Sequence, residues 1–397
     1  MQNCLVKQDG GICDVVWKDG HESSYHSTWL RYNCQCKKCF REFSGTYTID
    51  ILSLPEVLSV TKAEVHDAGK ALKTWFQGES PHMTEHDADW LRSQCYCDHC
   101  LDCDIIKRDV INSQNYAGKL PTVDYNMIDK DEDRFKFNVL KGVVDSGICL
   151  IQNVPTTPGQ VLKVASMFGP IYSTLYGNIF DVVDRKAENA AYTNLLLPFH
   201  QDQPQYESMP GVQLLHALRF DSCVTGGESQ ILDLFRAAET FRRENPKYFQ
   251  TLCEVPCKFE TMDKKRSHPV FQEHQKPHFV VDYFGKLVAV NWHPGIAVAT
   301  RVRFDDVPRY YEAYRAFLKL LERKEGMFEF RLKTGDLIIF NNRRVAHARS
   351  AFKSNGGVRH LQGTYINLDD LKSNYMTLAI KLGENVTPPK VGNGSSF

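Results

Sequence analysis

The side chains best suited to chemistry in this sequence are a histidine and an aspartate one residue apart, with a second histidine far along the chain. His200 and Asp202 flank Gln201, and His347 follows the apolar segment 337–340. In an extended segment, residues i and i+2 point to the same side, so His200 and Asp202 can reach one metal ion while Gln201 points away. Two imidazoles and a carboxylate on one face leave open coordination positions, which is typical of a mononuclear non-haem iron site.

An arginine soon after the second histidine extends this pattern. Arg359 follows His347 on the next stretch of chain. A guanidinium is planar and always charged, so it can hold a carboxylate through two parallel hydrogen bonds. We therefore expect Arg359 to hold the carboxylate of an organic cosubstrate beside the metal. Taken alone, these residues also fit a packed core histidine, a turn aspartate and a surface arginine.

The surrounding segments resemble the gamma-butyrobetaine dioxygenase family of 2-oxoglutarate-dependent oxygenases. The resemblance extends roughly from Trp17 to Tyr375 and is carried by segments 189–192, 199–202, 210–216, 225–229 and 340–359. It implies iron held by His200, Asp202 and His347, and 2-oxoglutarate held by Arg359 with a hydroxyl contact from Ser229. It also implies ascorbate as a further cofactor, and hydroxylation by O2 coupled to decarboxylation of 2-oxoglutarate to succinate.

The substrate that the resemblance implies is a small trimethylammonium acid. Gamma-butyrobetaine, hydroxylated to carnitine, is the first expectation, with trimethyllysine or a trimethylammonium alkylphosphonate as alternatives. A quaternary ammonium carries charge but no N–H donor, so a cage of aromatic faces is the device that binds it. The resemblance places this cage at Tyr176, Phe180, Tyr192 and Tyr365, with Asn189 on the substrate carboxylate.

Three positions depart from the family pattern. Phe180 stands where a tryptophan is expected, and Gln203 stands where a tyrosine is expected. Segment 291–295 differs from an Asn-rich segment that helps to hold the substrate carboxylate. These departures bear on the identity of the substrate and leave the reaction class unchanged.

The first of two cysteine clusters predicts a zinc site. Cys34, Cys36 and Cys39 can converge on one tetrahedral ion, but they need a distant histidine as the fourth ligand. The sequence alone offers His82 and His86 as equal candidates. The family resemblance selects His82, eight residues before the tryptophan of an Asp-Trp-Leu segment.

The second cysteine cluster departs from the family. It contains Cys95, Cys97, Cys100 and Cys103. Three interpretations stay open: a second zinc site, a surface loop of reduced thiols, or an exchange of ligands with the first cluster. Clustered thiolates in a chain without an export signal indicate a reducing compartment.

Composition and charge exclude several classes of protein. The 397 residues carry 48 basic and 48 acidic side chains, so the formal net charge is zero, which disfavours a nucleic-acid or membrane-surface role. No apolar run approaches the ~20 residues that span a bilayer, and the first residues lack signal or transit features. We therefore expect a soluble cytoplasmic protein that binds neither nucleic acid nor membrane.

The strand and turn patterns predict a mainly β protein with peripheral helices. They predict a hairpin about Asp19-Gly20, a strand over 47–52, a helix near 236–244 stopped by Pro246, and a strand that ends near His347. We expect a small β-rich zinc-binding domain at 1–104, a distorted double-stranded β-helix (jelly-roll) catalytic domain at 120–383, and a disordered tail at 384–397. No internal repeat is evident. The resemblance implies a homodimer. A function of another class, a catalytically idle zinc-bearing interaction protein, is compatible with the same fold.

Overall fold

The computed structural model describes residues 1–78, 82–102, 120–183, 195–298 and 301–386. The chain divides into two compact units, Met1–Asp109 and Val110–Phe397. The region of the predicted domain boundary, 103–119, and most of the predicted tail, 387–397, lie outside the described residues. Among the helices of the described ranges, none has the length and apolar character needed to cross a membrane.

The first unit consists of short antiparallel sheets and short helices. Its strands are β1 Asn3–Lys7, β2 Ile12–Val16, β3 Glu22–His26, β4 Phe40–Arg41, β5 Thr46–Tyr47, β6 Val60–His66, β7 Ala71–Phe76 and β8 Met83–Asp87. Its helices are α1 Ser27–Tyr32 and α2 Ala88–Ser93, and residues 98–102 are also helical. The sheets have the orders β1-β2-β3, β6-β7-β8 and β4-β5. The hairpin predicted about Asp19-Gly20 is confirmed as the β2–β3 pair.

The strand predicted over 47–52 is wrong. Only Thr46–Tyr47 is a strand there, and Ile51–Ser53 forms a turn of 3-10 helix. The Asp50 carboxylate accepts a hydrogen bond from the Leu52 amide. Because an aspartate side chain can satisfy a nearby backbone amide in this way, it favours a turn over a strand.

The first unit contains an internal repeat, contrary to the sequence-based expectation. Each half runs strand, 3-10 turn, strand, strand, helix and then Cys-x-Cys-x-x-Cys. The 3-10 turns repeat the same backbone conformation, since Gln8, Asp9 and Gly10 have positive φ angles and so do Asp67, Ala68 and Gly69. The repeat is hard to see in the sequence because few side chains match outside the helix and the cysteine cluster.

The second unit is larger and contains the remaining strands and helices. Its strands are β9 Thr122–Asp124, β10 Ile148–Gln152, β11 Phe180–Val183, β12 Leu197–His200, β13 Val212–Phe220, β14 Thr225–Gly226, β15 Ser229–Asp233, β16 Cys257–Asp263, β17 Val270–Lys276, β18 Phe279–Val281, β19 Leu287–Val290, β20 Ala297–Val298, β21 Phe328–Phe330, β22 Leu337–Asn341, β23 Val345–Arg349, β24 Phe352–Lys353 and β25 Arg359–Ile366. Its helices are α3 Glu132–Ser146, α4 Gln160–Ser166, α5 Leu234–Glu244, α6 Pro246–Glu254, α7 Asp306–Glu322 and α8 Leu368–Leu382.

Two sheets form the centre of this unit. One has the order β11-β25-β13-β22-β10-β9 and the other has the order β12-β23-β15-β21. Buried side chains from both sheets share one core, which includes Ile148, Phe220, Ile231, Ile338 and Val345. Two face-to-face sheets with this mixed strand order form a distorted jelly roll. The predicted mainly β fold is therefore confirmed.

Helices cover the two sides of this core. Helices α3, α4 and α8 contribute to one hydrophobic cluster with strands of the six-stranded sheet. Helices α5, α6 and α7 form another cluster with β18 and β19. Helix α5 ends at Glu244, as predicted from Pro246, and the same proline also begins α6, because proline at the first helical position loses no hydrogen bond.

The chain passes from one sheet to the other immediately before His347. A single strand is predicted to run up to this residue, but β22 ends at Asn341 and the separate strand β23 carries His347. The turn between them holds Arg344, which is buried and donates from Nε to Asp233 Oδ2 at 3.0 Å. This paired buried charge fixes the crossover that places His347 in the four-stranded sheet.

Candidate active site

The three predicted iron ligands lie together. His200 is the last residue of β12 and pairs directly with His347 of β23 across the antiparallel ladder. The Asp202 Oδ1 atom lies 3.3 Å from His200 Nε2 and 3.8 Å from His347 Nε2. The two imidazole centroids are 4.1 Å apart. One metal ion can therefore contact all three side chains.

Hydrogen bonds orient the first two of these side chains. His200 Nδ1 lies 2.8 Å from the Pro198 carbonyl oxygen, which can only accept, so Nε2 keeps its lone pair for a metal. The Asp202 amide donates to Asn342 Oδ1 at 2.8 Å, and Asn342 Nδ2 donates to the Asp202 carbonyl at 2.9 Å. The Tyr365 hydroxyl donates to Asp202 Oδ2 at 2.6 Å, which leaves Oδ1 facing the imidazoles.

The protonation states of the site suit a metal. Burial alone would raise the pKa of Asp202, but His347, His200 and the Tyr365 hydroxyl lower it well below its usual range. Burial and the neighbouring His200 lower the pKa of His347 to about 3. An ionised carboxylate and neutral imidazoles are the forms that bind metal. The residues therefore fit Fe(II), which favours two imidazoles and one carboxylate on one face.

Arg359 is buried close to this site. Its guanidinium lies over Phe220 and Phe352, 5.3 and 5.5 Å from the ring centroids. Gly227 packs beside the guanidinium and has a positive φ of 79°, a backbone conformation that favours glycine. Within the described part of the chain, Arg359 Nε has no hydrogen-bond partner.

The positive charge around Arg359 favours the binding of an anion. Burial, followed by the positive charges of Arg349 and Arg331, lowers the pKa of Arg359 to about 9. Arg359, Arg349 and Ser229 line the same cavity as the three iron ligands. A buried cation next to other cations is stabilised when a carboxylate binds between them. The residues therefore fit 2-oxoglutarate, with Ser229 as a further donor.

The cavity that joins these groups has a volume of about 410 Å3. This volume lies within the ~300–1,000 Å3 range of small-molecule sites. Its aromatic wall includes Tyr176, Phe180 and Tyr365. Phe180 stacks on Tyr365 with centroids 5.3 Å apart, and Tyr176 lies 5.9 Å from Phe180. A Cβ atom at Gly363 would overlap the Phe180 ring, so this glycine makes room for the wall.

Two predicted substrate residues, Asn189 and Tyr192, lie outside the described residues. The structure adds groups that sequence reasoning missed or left without a role. Asn342 clamps the backbone of Asp202, and only its position in a polar turn before His347 could have indicated this role. The His293 ring lies 4.8 Å from that of His200, and burial, followed by His200, lowers the pKa of His293 to about 3. The unusual segment 291–295 therefore reaches the site.

In the first unit, the structure resolves the choice between the two candidate histidines. His82 Nε2 lies 3.6 Å from both Cys34 Sγ and Cys39 Sγ, and Cys36 completes a group whose ligand atoms lie within 4.8 Å of one another. His86 is buried beside Trp90, with ring centroids 5.9 Å apart, and its burial lowers its pKa to about 4. The four groups that include His82 fit a tetrahedral zinc site.

The second cysteine cluster also meets a histidine. Cys95, Cys97 and Cys100 surround His21, while Cys103 lies outside the described residues. The sequence left open whether the thiols of this cluster form a site, and in the structure three of them meet a histidine from the β2–β3 loop.

A jelly roll with two histidines, an aspartate and a buried arginine around one cavity defines the class of Fe(II)/2-oxoglutarate-dependent dioxygenases. Residues 112–365 match the model of the taurine catabolism dioxygenase TauD, TfdA family, and residues 5–83 match the gamma-butyrobetaine hydroxylase-like N-terminal model. The chain belongs to the TauD, TfdA family of dioxygenases. It is an enzyme, and the alternative of an idle interaction protein is set aside.

Curated relatives match along nearly the whole chain. Gamma-butyrobetaine dioxygenase of Pseudomonas sp. (strain AK-1) is 32% identical, with 92% of this chain and 93% of that protein covered. The human gamma-butyrobetaine dioxygenase is 31% identical, with 91% and 93% covered. Trimethyllysine dioxygenase of Meyerozyma guilliermondii is 27% identical, with 96% and 97% covered.

Proposed function

We propose that this dioxygenase hydroxylates gamma-butyrobetaine to carnitine, the last step of carnitine biosynthesis. The observation that carries the proposal is the 32% identity, over 92% of the chain, to an enzyme named gamma-butyrobetaine dioxygenase. The cosubstrates are 2-oxoglutarate and O2, and ascorbate supports turnover as a reductant. The clustered thiols indicate a reducing compartment and so support a cytoplasmic location, and the family resemblance supports a homodimer.

The site residues take the following roles in this proposal. His200, Asp202 and His347 hold Fe(II), which supplies O2 activation coupled to decarboxylation of 2-oxoglutarate when it is bound. Arg359 holds the far carboxylate of 2-oxoglutarate through two parallel hydrogen bonds, and Ser229 adds a hydroxyl contact. Tyr365 and Asn342 fix the orientation of Asp202, so the carboxylate presents one oxygen to the metal. Apolar side chains such as Leu215, Ile231 and Ile338 line the cavity and limit the water around the metal.

The aromatic wall supports a trimethylammonium substrate. Tyr176, Phe180 and Tyr365 line the cavity, and Tyr192 completes the proposed cage. Cation–π attraction in a desolvated site is worth up to about 2 kcal/mol. Asn189 is proposed to contact the carboxylate at the other end of the substrate.

The charges of the cavity favour gamma-butyrobetaine over trimethyllysine. Among the described residues that line the cavity, Asp202 is the only carboxylate, and the metal engages it. Trimethyllysine has an α-ammonium group in addition to its quaternary nitrogen, and these described residues offer this group no further carboxylate. An unpaired buried charge is costly. A substrate with a single cation therefore fits this cavity better.

The zinc site has a structural role in this proposal. Cys34, Cys36, Cys39 and His82 form a closed set of four ligands, which leaves no open position for substrate. A small unit with a limited core gains stability from such a metal.

A substrate panel tests the proposed function. Succinate formation is measured with Fe(II) and ascorbate for gamma-butyrobetaine, trimethyllysine and a trimethylammonium alkylphosphonate at matched concentrations. The neutral tert-butyl analogue of gamma-butyrobetaine is the control for the cage. We expect the highest kcat/KM for gamma-butyrobetaine and poor binding of the neutral analogue. A higher kcat/KM for trimethyllysine or the phosphonate would overturn the named substrate, and equal turnover of the neutral analogue would overturn the cage.

A further inference from the structure

The group formed by His21, Cys95, Cys97 and Cys100 has the geometry of a metal site. His21 Nε2 lies 3.4 Å from Cys95 Sγ, 3.7 Å from Cys97 Sγ and 3.5 Å from Cys100 Sγ. Zn–S bonds of about 2.3 Å and Zn–N bonds of about 2.0–2.1 Å, arranged as a tetrahedron, separate nitrogen and sulfur by about 3.6 Å. The three distances therefore match one zinc coordination sphere.

The internal repeat relates this group to the first one. Trp29-Leu30-Arg31 precedes Cys34, Cys36 and Cys39, and Trp90-Leu91-Arg92 precedes Cys95, Cys97 and Cys100 at the same spacing. His21 precedes Cys34 by the same number of residues as His82 precedes Cys95. Each histidine nevertheless joins the cysteines of the other half. The two groups thus exchange their histidines across the repeat.

The backbone of each 3-10 turn also contacts the other half of the repeat. A Cβ atom at Gly10 would lie 2.6 Å from the Val60 carbonyl oxygen, at the start of the second half. In the equivalent place, Gly69 faces the backbone of Met1, whose amino group donates to the Gly69 carbonyl at 2.7 Å. The two halves therefore meet through equivalent contacts in both directions.

Equivalent arginines accompany the two groups. Arg31 Nη1 donates to Cys39 Sγ at 3.7 Å, and Arg92 Nη1 donates to Cys100 Sγ at 3.3 Å. Three thiolates around one zinc ion leave a net negative charge, because the imidazole is neutral. A guanidinium beside the thiolates offsets this charge and holds a sulfur in place by a charge-assisted hydrogen bond.

We propose that His21, Cys95, Cys97 and Cys100 bind a second structural zinc ion, so that the first unit carries two zinc ions with exchanged histidine ligands. Each ion then ties the loop of one half to the cysteine cluster of the other. The two ions and the shared core hold the halves together. The inference does not depend on the substrate or on the catalytic chemistry.

Zinc content of the purified full-length protein tests the proposal. All variants are made in an Asp202→Ala background, so that zinc cannot occupy the iron ligands. Zinc is measured by elemental mass spectrometry after dialysis against a weak chelator. We expect two zinc ions per chain, one after His21→Ala or Cys97→Ser, one after Cys36→Ser, and none when His21→Ala and Cys36→Ser are combined.

Matched controls separate ligand loss from misfolding. His66→Ala removes a histidine of the same unit that pairs with Glu64, and Cys4→Ser removes a thiol outside both groups. Both should keep two zinc ions. His21→Cys should also keep two, because a fourth thiolate can replace the imidazole. Cobalt in place of zinc should show thiolate charge-transfer and tetrahedral absorption that fall by half in His21→Ala.

Two results would overturn the proposal. The first is a single zinc ion in the parent chain that disappears with Cys36→Ser. The second is a chain with two zinc ions that keeps both after His21→Ala but loses one after Cys103→Ser, since this would place a four-thiol site in the second cluster.

Discussion

Replacing Tyr365 by phenylalanine separates two roles that the structure gives to one side chain. The ring of Tyr365 stacks on Phe180 in the aromatic wall, and its hydroxyl donates to Asp202. Burial, followed by the Asp202 charge, raises the pKa of Tyr365 well above its usual value. The hydroxyl therefore stays protonated and donates at every pH at which the enzyme works. Phenylalanine keeps the aromatic face and removes only the donor.

The size of the effect follows from the type of hydrogen bond. A bond to a charged acceptor contributes roughly 1.5–3 kcal/mol, which corresponds to about 10- to 150-fold in an equilibrium constant. Changes to partners of metal ligands commonly cost about 10–100-fold in metal affinity. We therefore expect Tyr365→Phe to weaken Fe(II) binding by one to two orders of magnitude. The KM for gamma-butyrobetaine at saturating iron should change less than about threefold, because the ring remains.

Anaerobic Fe(II) titration and steady-state kinetics at saturating Fe(II) measure the two effects separately. Tyr365→Leu is the matched variant, because it removes both the donor and the π face and should raise KM as well. Unchanged Fe(II) affinity in Tyr365→Phe would refute the positioning role of the hydroxyl. A KM for gamma-butyrobetaine that is unchanged in Tyr365→Leu would refute the place of this ring in the cage.

Three further substitutions test the other parts of the site. Asp202→Ala should abolish turnover and iron binding while the circular dichroism spectrum stays unchanged, and activity within about tenfold of the parent would contradict the ligand assignment. Arg359→Lys keeps the charge but loses the planar fork, so the KM for 2-oxoglutarate should rise at least about tenfold; an unchanged KM would contradict the clamp. Gly363→Ala should displace the Phe180 ring and raise the KM for gamma-butyrobetaine without changing Fe(II) affinity, and an unchanged KM would count against Phe180 as a cage residue.

Short spacings in the sequence predicted the chemistry of the catalytic unit better than its topology. His200 and Asp202 are close in sequence, so a local pattern was enough to predict that they lie together, although β12 ends at His200 and Asn342 holds the backbone of Asp202 just beyond it. The place of His347 depends on a turn that transfers the chain between two sheets. The buried pair of Arg344 and Asp233 fixes that turn, and the two residues are far apart in sequence. An apolar run followed by basic residues cannot distinguish one long strand from two strands joined by such a crossover.

The roles of Asn342 and Tyr365 show what the family resemblance could and could not supply. The resemblance placed Tyr365 in a cage by its aromatic face, but the hydrogen bond from its hydroxyl to Asp202 required the register between β25 and its neighbours. Asn342 belongs to a polar turn that resembles many surface turns in sequence. Its contacts to the Asp202 backbone arise only because the turn folds back over the end of β12.

The cysteine clusters show most clearly that a local sequence pattern can indicate a metal site without identifying its fourth ligand. Three cysteines within six residues indicate a metal site, because only a local loop is needed to bring them together. The fourth ligand must come from elsewhere, and sequence proximity favours a histidine in the nearest loop. In this unit, choosing the histidine nearest in sequence selects a residue that contacts the other cluster. His21 is nearer in sequence to the first cluster but lies against the second. A local sequence pattern is therefore least able to identify the histidine that comes from the other half of the repeat.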